Sequence, residues 1–117
     1  MSRFTGDANQ QWNTLENTAS IKGRFKQNTI TNTAQTLEQL GVFLGDANLQ
    51  GVRVSIHDGQ VRFRDDGGAD VTDPTPTEGT LLPIGVYWFS REEAKDLKLV
   101  AVAGNVEASF QPQTFVA

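Results

Sequence analysis

Val52-Arg53-Val54-Ser55-Ile56-His57-Asp58-Gly59-Gln60-Val61-Arg62-Phe63-Arg64 is the stretch whose reading decides the fold. Apolar and polar side chains alternate on both sides of Asp58-Gly59, the period of a strand with one buried face. Asp-Gly between alternating runs is a strong hairpin signal, because a type I′ turn needs positive φ at both central residues. A two-residue turn also fixes the register. His57 then faces Gln60, Ile56 faces Val61, Ser55 faces Arg62, Val54 faces Phe63 and Arg53 faces Arg64. The apolar pairs all land on one face, so turn chemistry and pattern agree.

The same logic extends along the chain. Leu97–Ala103 and Val106–Gln111 flank Gly104-Asn105, which reads as a II′ turn with Gly first. In that second hairpin Leu97, Leu99, Ala101 and Ala103 share a face with Val106, Ala108 and Phe110. Lys98, Val100, Val102, Glu107 and Ser109 make the other face. Val86-Tyr87-Trp88-Phe89 reads as a short strand, with either Trp88 or the Tyr87 and Phe89 pair pointing outward, or both faces covered. Ser90 and Glu93 match a capping box, which predicts a brief helical turn over Arg91–Asp96.

Upstream, Ser20–Lys26 alternates and predicts a strand, and Thr29–Thr33 predicts another. Thr36–Leu40 is open between a helical turn and a strand end, and Gly41–Gly51 reads as a loop. Asp65–Gly85 is a turn-rich connection in which Asp73-Pro74-Thr75-Pro76 favours an extended, poorly pairing backbone. Leu81-Leu82 returns it to the core. Short strands, frequent turns and almost no helix predict an all-β fold: a small antiparallel β-sandwich or jelly-roll-like barrel with an extended N-terminal arm. The expected division is an arm over 1–18, a sandwich domain over 19–112 and a tail over 113–117.

A chain of 117 residues suits one domain. It has no cysteine, which removes disulfide and thiolate chemistry. The start, Met1-Ser2-Arg3-Phe4-Thr5-Gly6-Asp7, lacks the apolar stretch of a secretory signal. No apolar run reaches the ~18–20 residues of a membrane helix, so no membrane role is expected. The net charge of −4 disfavours nucleic acid as partner.

The residues carry little chemistry. His57, the lone histidine, stands beside a tight turn, where it needs no catalytic explanation. No phosphate loop, nucleophile elbow or dinucleotide fingerprint is present. Asp65, Asp66, Asp70 and Asp73 offer oxygen ligands, but their spacing does not fit an EF-hand, and Asp and Gly are ordinary turn residues. The expectation is therefore no catalytic residue, no metal and no cofactor. Candidate contact residues are Phe4 and Trp12 in the arm, since Trp is enriched at binding hot spots. Arg53, Arg62 and Arg64 join them as a basic face suited to bidentate contacts with an acidic partner. Trp88 and Phe115 complete the set.

The order of several segments resembles small β-sandwich proteins encoded among the structural genes of tailed bacteriophages. The segments are Thr31-Asn32-Thr33-Ala34-Gln35-Thr36-Leu37, Val52-Arg53-Val54-Ser55 with Val61-Arg62-Phe63-Arg64-Asp65-Asp66-Gly67, and Thr72-Asp73-Pro74-Thr75 with Gly79-Thr80-Leu81-Leu82. Leu97-Lys98-Leu99-Val100-Ala101-Val102 with Val106-Glu107-Ala108-Ser109-Phe110 completes the series, which covers about residues 28 to 111. Gly68-Ala69-Asp70-Val71 departs from the compact form of the pattern. The resemblance implies a non-enzymatic virion component, made in the host cytoplasm, of the capsid decoration (cement) type. Its implied partners are the major capsid protein or other virion proteins and further copies of itself, as a dimer or trimer. A neck, tail or baseplate position is the alternative within the virion. The Arg-x-Arg-x-Asp-Gly run followed by Asp-Pro-Thr also resembles β-sandwich modules appended to carbohydrate-active enzymes. That leaves a carbohydrate-binding module, with Trp12 or Trp88 stacking on sugar rings, as the alternative from another class.

Overall fold

The structure, a computed structural model, describes residues 18–64 and 73–115. In chain order the elements are β1 (Thr18–Ser20), β2 (Lys26–Ile30), β3 (Gln35–Thr36), β4 (Leu49–Ile56), β5 (Val61–Arg64), β6 (Thr80–Leu82) and β7 (Gly85–Ser90). A single-turn helix α1 (Arg91–Asp96) follows, then β8 (Lys98–Ala101) and β9 (Val106–Phe115). Sheet A runs β1-β9-β4-β7, with β2 also on β9, and sheet B runs β3-β8-β5-β6. All pairings are antiparallel. The all-β sandwich expected from the strand pattern is what forms.

The core lies between the sheets. Val52, Val54 and Ile56 from β4 and Ala108 and Phe110 from β9 are buried on sheet A, and Val61, Phe63, Leu82, Leu99 and Ala101 on sheet B. Phe63 and Phe89, one from each sheet, meet edge-on with ring centroids 5.4 Å apart and planes at 79°. That is the favoured geometry for the ring quadrupoles. Except for Ala103, the alternating residues named from sequence are thus the ones that face inward.

Their lateral partners are different. Asp58-Gly59 does not close a hairpin, because β4 belongs to sheet A and β5 to sheet B. Past Ile56, β4 stays with β9: His57 N donates to the Glu107 carbonyl at 2.9 Å, and Asp58 Oδ1 accepts from Glu107 N at 2.8 Å. Gly59 has no positive φ, so the turn is not type I′. A Cβ there would lie 2.7 Å from Val106 Cγ2, so glycine is required for close approach. The Gly104-Asn105 turn is likewise a corner, carrying the chain from β8 in sheet B to β9 in sheet A, with Gly104 at φ 66°. In both cases the pairing is not the expected one, while the inward set holds except at Ala103, which is exposed in the turn. A short connection can bridge ~10 Å between sheets as readily as ~4.8 Å between strands.

The first edge differs too. Ser20–Lys26 is not one strand: β1 ends at Ser20, and a turn follows in which Arg24 N donates to the Ile21 carbonyl and Gly23 sits at φ 76°. β2 then runs Lys26–Ile30, earlier than the expected Thr29–Thr33. Both β1 and β2 pair with β9 on the side away from β4, so they form one interrupted edge. The Thr36–Leu40 alternatives both occur: β3 ends at Thr36 and a helical turn follows, with Leu40 N donating to the Thr36 carbonyl at 3.1 Å. β4 begins at Leu49, inside the expected loop. β9 continues to Phe115 against Thr18, past the boundary expected at 112. The capping box forms as read. Ser90 Oγ accepts from Glu93 N at 3.3 Å, and Glu93 Oε1 accepts from Ser90 N at 2.9 Å.

Candidate interaction surfaces

Because β4 and β5 lie in different sheets, the arginines do not form one face. Arg53 is on the outer side of sheet A, in register with Gln111 on one neighbour and Trp88 on the other. Arg62 and Arg64 project from sheet B, where Arg64 lies opposite Lys98. Arg62 is committed within the chain: its Nε donates to the Pro76 carbonyl at 3.1 Å and one terminal nitrogen to the Gly79 carbonyl at 2.8 Å. Lys98 Nζ holds Asp73 Oδ1 at 2.6 Å. Residues 73–79 are thereby fastened across the outer side of sheet B, and Val100, which points that way opposite Arg62, is fully buried. The sequence put Val100 on a polar face because the covering segment was not legible. The basic patch expected to meet an acidic partner is replaced by one clamp and two separated arginines.

Trp88 is also not an open anchor. It sits on the outer side of sheet A yet is only 6% exposed. Its ring passes over Gly51, where a Cβ would fall 2.5 Å from Cζ2. Phe89 faces the core, so both sides of β7 are covered at this point, the third of the arrangements left open by sequence. Burial raises the Tyr87 phenol pKa above its ordinary value, and its hydroxyl donates to the Pro83 carbonyl at 2.7 Å. Phe4 and Trp12 lie outside the described residues, as do Asp65, Asp66 and Asp70. Phe115 is placed by its backbone pairing with Thr18. His57 Nε2 lies 3.0 Å from Ser109 Oγ. Among the described residues no three His, Asp or Glu side chains gather as metal ligands.

The side chains that do stand out were not chosen from sequence. Among the described residues, Phe25, Phe43, Leu81, Ile84 and Val86 are the large apolar ones left exposed. Phe25 precedes β2 on one edge of sheet A, and Val86 belongs to β7 on the opposite edge. With β9 and β4 between them, β2 and β7 are three strand spacings apart, about 14 Å. Near the first edge, the Arg24 guanidinium stacks 4.1 Å from the centre of the Phe43 ring, while its Nε pairs with Asp46 Oδ2 at 3.0 Å. This fixes Phe43 beside an open hollow of about 380 Å³ formed by Glu38 and Gly41–Gly45. A cation over a ring, itself oriented by a carboxylate, is a preorganised contact element.

Ile84 lies in the connection from β6 to β7; Leu81 shares the outer side of sheet B with Arg62, and Val86 the outer side of sheet A with Trp88. Their signal in the sequence was the charge-free run Thr80–Ser90, which reads equally well as core. No family model matches the chain, and no similar curated protein or solved structure was found.

Proposed function

We propose that this chain is a non-enzymatic structural subunit of a tailed-bacteriophage particle, a decoration (cement) protein that binds the outer surface of the major capsid protein and stabilises the head. The observation that supports this reading best is that Phe25 and Val86, at opposite edges of sheet A, are both large apolar side chains left exposed. A subunit that staples neighbours needs two grips facing different ways. A rigid sandwich with Phe25 at the β2 edge of sheet A and Val86 on the β7 edge supplies them. Apolar side chains left in water on a small domain mark contact surfaces. The resemblance of residues 28 to 111 to phage accessory proteins gives the biological setting.

Phe43, held by Arg24, is the anchor assigned to the capsid. Many equivalent sites on a shell let modest single contacts act together through effective concentration. The test is binding of the purified chain to heads that lack it, followed by a thermal challenge. Saturable binding, raised head stability, and an occupancy cut at least ~tenfold by Phe43→Lys are the expected outcome. No binding to heads would remove the reading. Binding only to necks or tails would move the protein to that part of the particle. The carbohydrate alternative loses its described platform, because Trp88 is covered.

A further inference from the structure

The outer side of sheet A, away from sheet B, is covered unevenly. Val52 and Val54 of β4 and Ala108 and Phe110 of β9 face the core, so Arg53, Trp88, Gln111 and Gln113 face outward by register and alternation. Toward the β1 end of that side Trp88 is 6% exposed, Gln111 8% and Gln113 3%, although Trp88 stands outside the core cluster. Val86, two residues along β7 on the same side, is 52% exposed. The Trp88 ring lies over Gly51, so one of its faces rests on backbone. A ring lying on a sheet shows its other face to water unless something is placed on it. We propose that residues 1–17, which lie outside the described residues, dock in the same chain on this end of sheet A, across Trp88, Gln111 and Gln113.

Two observations single out that occupant. The first is where the rest of the chain runs. Leu37, Leu40, Val42 and Leu44 turn into the core, α1 turns inward with Ala94, and Arg62 holds Pro76 and Gly79 on sheet B. Residues 65–72 are tied to sheet B at both ends, by β5 and by the Lys98–Asp73 pair, and 116–117 is too short a stretch to cover three side chains. Residues 1–17 enter at Thr18, whose strand pairs with Gln113–Phe115 beside the covered end. From β1 to β7 is three strand spacings, about 14 Å, within the ~25 Å that seventeen residues span even at the helical rise. The second observation is that the buried polar groups here are satisfied inside the chain, as covered groups must be. Gln113 Nε2 donates to Ser20 Oγ and its Oε1 accepts from Thr18 Oγ1, both at 3.2 Å, and Gln111 Nε2 donates to the Pro112 carbonyl at 2.9 Å. What this surface offers an incoming segment is the apolar indole, and residues 1–17 bring Phe4, Trp12 and Leu15 to it.

Docking within the chain is independent of head binding through Phe43, and both of its tests use the full-length protein. The chain has two tryptophans, so Trp12→Phe leaves Trp88 as the lone indole emitter. In that background Phe4→Asp together with Leu15→Asp should red-shift the emission and raise its quenching by acrylamide. Unchanged emission and quenching overturn the inference. A second measurement leaves Phe4, Trp12 and Leu15 intact. The chain has no cysteine, so Asn9→Cys can be paired with Arg53→Cys on the outer side of sheet A or with Leu81→Cys on the outer side of sheet B. Bridging by a short bismaleimide should be at least ~tenfold faster for the Arg53→Cys pair, because docking raises the effective concentration. Bridging no faster there than with Leu81→Cys overturns the inference, and so does a product in which the bridge links two chains.

Discussion

Gly51 shows how a single hydrogen atom in place of a side chain positions a surface. A Cβ at this site would lie 2.3 Å from the Phe89 carbonyl and within 2.7 Å of two Trp88 ring atoms. Gly51→Ala must therefore push the indole off sheet A or bend β4, costing about 1–3 kcal/mol as overpacked sites do. Urea unfolding followed by Trp fluorescence should show both the lost stability and a red-shifted folded state. Tyr87 offers a second prediction. Its folded pKa is raised above 10.0 by burial, so the neutral phenol is favoured in the fold. Stability from this group is complete below the unfolded value and is lost as pH rises through the folded one. It is the lone tyrosine, so phenolate absorbance reports it directly. The midpoint should lie above 10.0 in the folded protein and return there in denaturant, and Tyr87→Phe should flatten the alkaline fall in stability. Neither role was visible in the sequence. Gly51 read as the end of a loop, because the ring above it arrives from a strand thirty-seven residues away in the chain.

At the scale of elements, the capping box and the two turns teach opposite lessons. Ser90 and Glu93 satisfy each other's backbone amides within four residues, a local event that the sequence contains entirely. Ser90→Ala should cost about 1 kcal/mol, measured by chemical denaturation. The turns at Asp58-Gly59 and Gly104-Asn105 are not local in this sense. Alternation states which side of a strand is greasy, and that was legible: Val52, Val54, Ile56, Val61 and Phe63 all face inward. It does not state which strand lies alongside. Two amphipathic strands joined by a short turn can bury their faces in one sheet or, folded across, against each other. Here β9, arriving some fifty residues later, takes the place beside β4 that β5 was expected to hold. The arginine face disappeared for the same reason, since it rested on a shared hairpin. The Arg62 clamp is testable at this level. Arg62→Ala should release residues 73–79, raising their amide exchange while the protection of β4 and β9 persists. Equal protection of that segment in the variant would show the clamp to be incidental.

For the whole molecule, a two-sheet sandwich is a rigid block whose two edges can be addressed separately. Its radius of gyration is 13.3 Å, close to the ~13 Å of a compact domain near 100 residues. Such a block moves little when it binds, so its contact surfaces must already be exposed in the free protein. On the proposed reading one of them is Phe43, exposed and held beside Arg24. The sequence announced the fold through its strand pattern, and candidate contact residues were read from it among aromatics and arginines. Trp88 and Arg62 are ones that folding covers or clamps, whereas the exposed aliphatics read as core because hydrophobicity alone cannot distinguish a corner from an interior. The most direct test of the proposed role is the number of copies in a purified particle, counted by quantitative mass spectrometry against the major capsid protein. A decoration protein should be present in the hundreds, in fixed proportion to the shell. Particles that contain none of the chain would contradict that role.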